Sequence, residues 1–399
     1  MANTIREQAQ IGLVPETTWG TAPSGNALRI PVNPGAWLHD VVESFDDDAV
    51  RNILARTFRR TPTVAHGEGS VGGPFYPIEG GYFLDGVLGG SQGAPTILQK
   101  AAAGGATTFY GHEFVIGQDA RSYAIQQSDS ILTELLLGMM PVSYTLRWNA
   151  GEGAVEYETE MMGKGRVWPT TSKTFANHAA SVIPQRSLVG SMVMVAIAGA
   201  AVNKVLSMEM VFSREVEMGY GAGNRRRPNI RRSSVPKITF RAVVELQTAA
   251  DIKKYSESLG DNADAQASAV VHADSDTDKD FGTAANLETW HVRIATPRDV
   301  AVTDNPLPTA AMSVTTGTAT THIGDKLSDA TNGADTGDDG VLDIFLDKVS
   351  YAEAPIEINR SERTATFEFH GEALYDNTDS RIGVFRLYNK KTTVYTAIT

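Results

Sequence analysis

The side chains that could do chemistry in this chain are scattered rather than gathered. Histidines stand at 39, 66, 112, 178, 272, 291, 322 and 370, with no HExxH pair and no other ligand-like spacing. Isolated histidines of this kind are more often hydrogen-bonded or solvated than metal-bound. No GxSxG elbow is present to expose a nucleophilic serine. Gly219-Tyr-Gly-Ala-Gly would suit a phosphate cradle, but no Lys-Ser/Thr follows it. Arginines and a proline stand where a helix should begin, so a tight β-loop is the better use of these glycines. Asp274-Ser-Asp-Thr-Asp-Lys-Asp280 offers oxygens at alternate positions, as a calcium loop does. Its sixth position is Lys279 and its twelfth is Ala285, so both the turn glycine and the bidentate carboxylate are missing. The run Gly333–Gly340 is incomplete in the same way, and both runs read as solvated loops. No catalytic residue, metal site or cofactor is assigned.

Charge is more informative than nucleophiles. The formal net charge is −12, which argues against a general nucleic-acid binder. Residues 261–340 hold fourteen acidic residues against four basic ones, a local net charge of −10, so the remainder is almost neutral. Against that background Arg225, Arg226, Arg227, Arg231 and Arg232 crowd one loop, and Arg56, Arg59 and Arg60 mark a weaker counterpart. A cluster of guanidinium groups can be a solvated tip, a phosphate site through its planar forks, or a contact with an acidic neighbouring subunit. The segregation of charge along the chain favours the third reading.

The elements that position these groups are mostly strands. Val205–Met218 alternates as one long strand, with Met208, Met210 and Phe212 on one face and Glu209, Ser213, Glu215 and Glu217 on the other. The arginine loop follows, then a second strand over Val235–Leu246 and a short helix over Ala249–Leu259. A weaker copy of this order runs through Trp37–Val50, the Arg51–Arg60 stretch, Gly69–Glu79 and a short helix at Gly80–Leu88. A hairpin follows each unit: Val142–Trp148 with Ala154–Met162, and Val341–Tyr351 with Arg363–Ala373. In the first hairpin Val155, Tyr157, Thr159 and Met161 alternate with Glu156, Glu158 and Glu160, which predicts one packed face and one wet acidic face. Short strands flank Gly117-Gln118-Asp119, Thr289–Ala295 is a strand candidate, and Ile131–Leu137 fits a short helix or a buried strand equally well. The repeated element order suggests duplication.

With 399 residues, 42% apolar content and 21% charge, the chain can fill two ordinary globular cores. It has no cysteine, so neither disulfides nor thiolate metal sites can hold it together. The opening residues lack the apolar core of a secretory signal, and export by such a leader is not expected. The most apolar window, Ser187–Val205, has an uninterrupted core shorter than the roughly 20 residues a spanning helix needs, so it reads as a buried strand or a subunit contact. The expected divisions are an extended N-terminal arm at 1–36, a first domain at 37–165, a linker at 166–186 and a second domain at 187–399, with an acidic insertion at about 261–340.

Gly12-Leu-Val-Pro-Glu-Thr-Thr-Trp-Gly-Thr-Ala-Pro23 resembles the opening of many major tail tube proteins of long-tailed, siphovirus-type bacteriophages. The later order of strand, long loop, strand, helix and hairpin is similar to that family as well. The resemblance implies a mainly β fold in which each β-sandwich domain, carrying a short helix, gives four strands to a continuous inner barrel. It implies rings of six domains, either as hexamers or as trimers of a duplicated chain, stacked into a tube that conducts DNA. By the same resemblance the partners are further copies of the chain, a tape measure protein, a tail terminator and distal tail proteins, and the place is the virion tail. DNA would pass without specific binding, so a neutral or acidic bore is expected, because basic walls would hold phosphates by counterion release. Glu156, Glu158, Glu160, Glu209, Glu215 and Glu217 are the lumenal candidates, and the eight arginines named above are candidates for contact between rings. A carbohydrate-binding or adhesive β module is the alternative; it needs an aromatic platform, and the tryptophans at 19, 37, 148, 168 and 290 are dispersed.

Overall fold

A computed structural model describes residues 10–47, 59–90, 96–99, 108–114, 116–118, 120–129, 132–169, 173–176, 186–197, 200–202, 205–221, 227–245, 288–296, 340–353, 356–359, 364–377, 381–389 and 391–395. The second helix expected over Ala249–Leu259 and both aspartate-rich runs lie outside these residues, apart from Gly340 at the end of the second run.

The first half contributes β1 (Gln10–Pro15), β2 (Ala27–Ile30), β3 (Trp37–Asp47), β4 (Arg59–Pro74), α1 (Gly80–Leu88), β5 (Thr96–Gln99) and β6 (Thr108–Phe114). It continues with β7 (Tyr123–Ser128), β8 (Thr133–Asn149), β9 (Glu152–Gly163), β10 (Gly165–Val167) and β11 (Phe175–Ala176). The second half contributes β12 (Val193–Ile197), β13 (Ala200–Val202), β14 (Val205–Ser213), β15 (Val216–Gly219), β16 (Ile230–Ser233) and β17 (Lys237–Glu245). It ends with β18 (Glu288–Ala295), β19 (Val341–Glu353), β20 (Ile356–Asn359), β21 (Thr364–Leu374) and β22 (Gly383–Asn389).

One long antiparallel sheet runs β3-β4-β9-β8-β14-β17-β21, and β19 and β20 share the far edge of β21. A second layer is built on β2-β1-β7-β8-β10 in the first half and on β13-β12-β18-β19-β22-β6-β5 in the second. The long strands β8 and β19 therefore belong to both layers. Sequence explains how β8 does this. Its first part, TELLLGMM, is an apolar run buried on both faces, while its second part, VSYTLRWN, alternates because only one face is covered. The passage is made at Gly138, whose φ of +67° few other residues adopt, and where an added Cβ would lie 2.7 Å from the Trp19 indole nitrogen.

The two halves share more than element order. The pairing order β3-β4-β9-β8 returns as β14-β17-β21-β19, and the ladder irregularities return with it. One extra residue, Val142, separates the pairs Pro141–Met161 and Ser143–Glu160; one extra residue, Ala352, separates Tyr351–Gly371 and Glu353–His370. The β7–β8 ladder shifts between Tyr123 and Ile125, and the β18–β19 ladder shifts between Glu288 and Trp290. The outer part of β3–β4 is offset after Val42, as β15–β16 is offset from β14–β17 after Ser213.

The core follows the alternation read from the sequence. Val155, Tyr157, Thr159 and Met161 are buried, and so are Met208, Met210 and Phe212. Tyr144, Tyr157, Phe212 and Phe385 form a chain of ring contacts from the first half into the second. Helix α1 lies wholly inside, ends at Gly89 with φ +71°, and buries Asp85 beside Arg121.

Several expectations are corrected. Val205–Met218 is two strands, because Arg214 turns inward and its guanidinium donates to the carbonyls of Leu88, Gly117 and Gln118. Gln10–Pro15 and Ala27–Ile30 are extended but do not stand away as an arm: β1 lies between β2 and β7, with Ile11 and Leu13 buried. Of the Ile131–Leu137 stretch, Thr133–Leu137 opens β8. The stretch expected as a linker supplies the end of β10, and also β11, which adds to β2 in parallel. The described part of the apolar window 187–205 contains the β12–β13 ladder.

Phe212→Ala should cost about 3–5 kcal/mol of unfolding free energy, because it empties a site shared by both halves. Glu160→Gln, on the wet face of the same sheet, should stay within about 0.5 kcal/mol. Urea denaturation of both variants checks the contrast.

Candidate functional site: a charged sheet face and two hairpin arms

Among the described residues, one face of the long sheet is uncovered. Period-two alternation sends Glu156, Glu158 and Glu160 of β9 to that face, with Arg147 of β8, Glu209 of β14, Lys237, Arg241 and Glu245 of β17, and Glu368, His370 and Glu372 of β21. Arg147 reaches Glu158 and Glu209 at 3.3 Å each. Lys237 meets Glu372 at 2.8 Å, and Arg241 grips Glu368, which also meets His370 at 2.7 Å. The hydrogen bond from Arg241, followed by that from His370, holds the Glu368 carboxyl below its ordinary value. Carboxylates outnumber fixed cations on this face, but the cations are interleaved, so the face is acidic without being uniformly so. The pairing of Arg147 with Glu209 is not legible in the local sequence, because the β8–β14 ladder joins positions about sixty residues apart.

Glu215 and Glu217 are not on this face. Glu215 lies in the break after β14, and Glu217 lies on β15, where it meets Arg232 at 3.7 Å with both side chains largely exposed.

Two hairpin arms extend the sheet's strands. The first is the outer part of β3–β4, and Arg60 there forms a forked pair with Asp46 at 2.7 and 2.9 Å on an exposed surface. The second is β15–β16, which folds back over the first half. Arg231 donates to the Ala120 carbonyl at 3.2 Å, Ser233 Oγ donates to the Gln118 carbonyl, and Ser233 Oγ accepts from the Ala120 amide. Arg227 reaches furthest, with a two-pronged contact to Asp40 of β3 at 2.8 and 2.5 Å and a bond to the Lys164 carbonyl. Burial would raise the Asp40 carboxyl, but bonds from the Arg227 side chain and the Arg166 amide, with the nearby positive charge, hold it below its ordinary value. Of the candidate contact arginines, Arg227 and Arg231 are thus engaged by the chain itself, while Arg60 and Arg232 are exposed. Arg59 opens β4; Arg56, Arg225 and Arg226 lie outside the described residues.

Histidine and aspartate do meet in the second layer, in a group that also holds an arginine. Asp343 is buried between β18 and β19 and is held by both His291 and Arg293. It forms a structural ion cluster away from the uncovered face.

A family model described as phage tail tube protein matches residues 7–371. The chain belongs to the phage tail tube protein family. No individual curated protein matches it. The match runs through both halves, so the tube protein's mostly β layers and its hairpin arms are those of a structural component of a phage tail. Nothing favours the carbohydrate-binding alternative: Trp148 and Trp290 are buried in the core, and Trp19 is tied to the Gly138 carbonyl. Among the described residues, no helix is long and apolar enough to cross a membrane.

Asp40→Asn should weaken docking of the β15–β16 arm by about 1–3 kcal/mol. Faster hydrogen exchange over Val216–Gly219, with little change in β14, would record it. Because the folded carboxyl is shifted down, its contribution is present above the unfolded value of roughly 3.9 and is lost as pH falls through the lower folded value. The variant should lack that acid-side loss at this contact.

Proposed function

We propose that three copies of the tube protein form a ring of pseudo-sixfold symmetry, and that rings stack into the DNA conduit of a siphovirus-type tail. The observation that carries this reading is the recurrence of one pairing order, with its ladder irregularities, in both halves of a single continuous sheet. Two copies of one fold unit side by side, each giving four strands, are what a duplicated subunit would bring to an inner barrel. Three such chains supply the six units of a ring, and a closed ring also leaves no open sheet edge.

The same reading turns the uncovered sheet face to the bore. The other face is covered by the second layer and α1, which leaves the Glu156, Glu158, Glu160 and Glu209 side as the inner wall. DNA carries about one charge per 1.7 Å of duplex axis, so a wall with carboxylates in excess repels it weakly and lets it slide. Arg147, Lys237 and Arg241 temper that repulsion and neutralise neighbouring glutamates, which lowers the cost of stacking acidic bands at close range. Arg60 and Arg232, exposed on the arms, are placed on this reading at contacts between rings.

Sedimentation and negative-stain micrographs of the purified chain should show three-copy rings and longer tubes; a strict monomer at every concentration and salt would end the reading. Glu156, Glu158 and Glu160 changed together to Lys should still permit tubes, because all three side chains are exposed in the single chain. Such tubes should retain short duplex DNA at about 50 mM salt and release it by about 200 mM, whereas the parent tubes retain none.

A further inference from the structure

We infer that the seam between copies repeats the junction inside one chain: the β20 edge of one copy pairs antiparallel with β3 of the next, with Ile356 opposite Leu38. This rests on the ring proposed above and adds which edges meet and in what register.

Inside the chain the two halves are joined by β8 and β14, Ser143–Asn149 against Ser207–Ser213, with Leu146 opposite Met210. Equivalent positions in the halves can be located without sequence identity, by following rungs of the sheet. Leu38 faces Gly69, which faces Met161, which faces Pro141 just before the extra residue Val142. Met210 faces Phe240, which faces Gly371, which faces Tyr351 just before the extra residue Ala352. Leu38 therefore corresponds to Met210, and both are fully buried. Counting from the same extra residue, Leu146 corresponds to Ile356. The second half thus ends in a strand equivalent to β8 whose ladder, among the described residues, is with β21 alone; β3 likewise has its ladder with β4 alone.

The β3 edge is not left bare in a single copy. The Leu38 amide donates to the Gln127 side-chain oxygen at 3.1 Å, and the Gln127 amide nitrogen donates to the Leu38 carbonyl at 2.6 Å. A buried side-chain amide supplies there the two bonds a neighbouring strand would make. The ladder shifts in β7 and β18 align Ile125 with Trp290, so Gln127 corresponds to Val292, which has no side-chain amide to offer. In that half, β8 itself lies against the equivalent strand. Gln127 is thus a stand-in for a strand; pairing of Leu38 with Ile356 of another copy replaces both bonds at the Leu38 backbone, while the Gln127 amide nitrogen keeps its bond to Glu134. An edge capped by a side chain resists indiscriminate pairing until the correct strand arrives.

The arms agree. The β15–β16 arm lies on the preceding half, and its root, Arg214, is buried. The corresponding root of the first arm is Val42, which is 56% exposed, with Phe45 at 62%. With the seam in place, the second half of the adjoining copy lies where these apolar side chains can be covered.

The chain has no cysteine, so engineered thiols report cleanly. Trp37→Cys with Glu357→Cys puts thiols at the positions equivalent to Glu209 and Arg147, which face each other at the inner junction. Oxidised tubes should give a covalent ladder that stops at three copies. Trp37→Cys with Asn359→Cys, displaced by two residues, should link at least about tenfold less, because a disulfide tolerates little change in Cα separation. Tubes that form without cross-linking in the first pair, or that link equally in both, overturn the seam and leave the tube reading standing. Absence of rings and tubes from the parent chain overturns both. Should the Trp37 variant fail to assemble, hydrogen exchange on the parent decides: Ile356 should exchange about tenfold or more slowly in tubes than in dissociated chains, and an unchanged rate refutes the seam.

Discussion

Main-chain hydrogen bonds at strand edges govern this molecule. A sheet satisfies every strand's donors and acceptors except along its two outer edges, and those edges must be paired, capped or exposed to water. The β8–β14 ladder removes two such edges by joining the halves, and everything else in the long sheet is laid out from that line. Burial of Tyr144, Phe212 and Phe385 on one side of the line locks it from within. Among the described residues, no layer covers the charged side chains on the other face.

Much of this was legible in the order of residues. The alternation of Val155, Tyr157, Thr159 and Met161 with three glutamates defined both faces of β9, since a period of two has only one structural meaning there. Gly80–Leu88 was placed correctly as a helix by its position in the repeated order. The N-terminal run around Gly12–Pro23 pointed to the family that residues 7–371 match. What could not be read was any feature set by long-range closure. Arg214 breaks a well-patterned strand because distant carbonyls attract it, and local periodicity carries no trace of them. Arg227 and Arg231 looked like a free cluster, whereas Asp40 and the Ala120 carbonyl, far away in sequence, hold them. The cations on the glutamate face were visible one by one, but their partners depend on strand order.

The arms show how one design can serve two settings. The β15–β16 hairpin has its docking site within its own chain and is anchored by buried arginine contacts. The matching part of β3–β4 carries a valine and a phenylalanine in the open. The two hairpins thus differ in character, one anchored on its own chain by polar contacts and the other presenting apolar residues. This difference also explains why arginine spacing alone was a poor guide to their roles.

The passage of β8 and β19 through both layers has a mechanical consequence. In a sandwich whose layers share no strand, shear is resisted only by side chains sliding over one another, which is a soft, non-directional resistance. Here the same covalent backbone enters both layers, so relative sliding must either stretch that backbone or break ladder hydrogen bonds together. A wall made from such units transmits load from its inner surface to its outer surface along continuous chain. Its bending stiffness is then that of one thick plate, not that of two thin ones laid together.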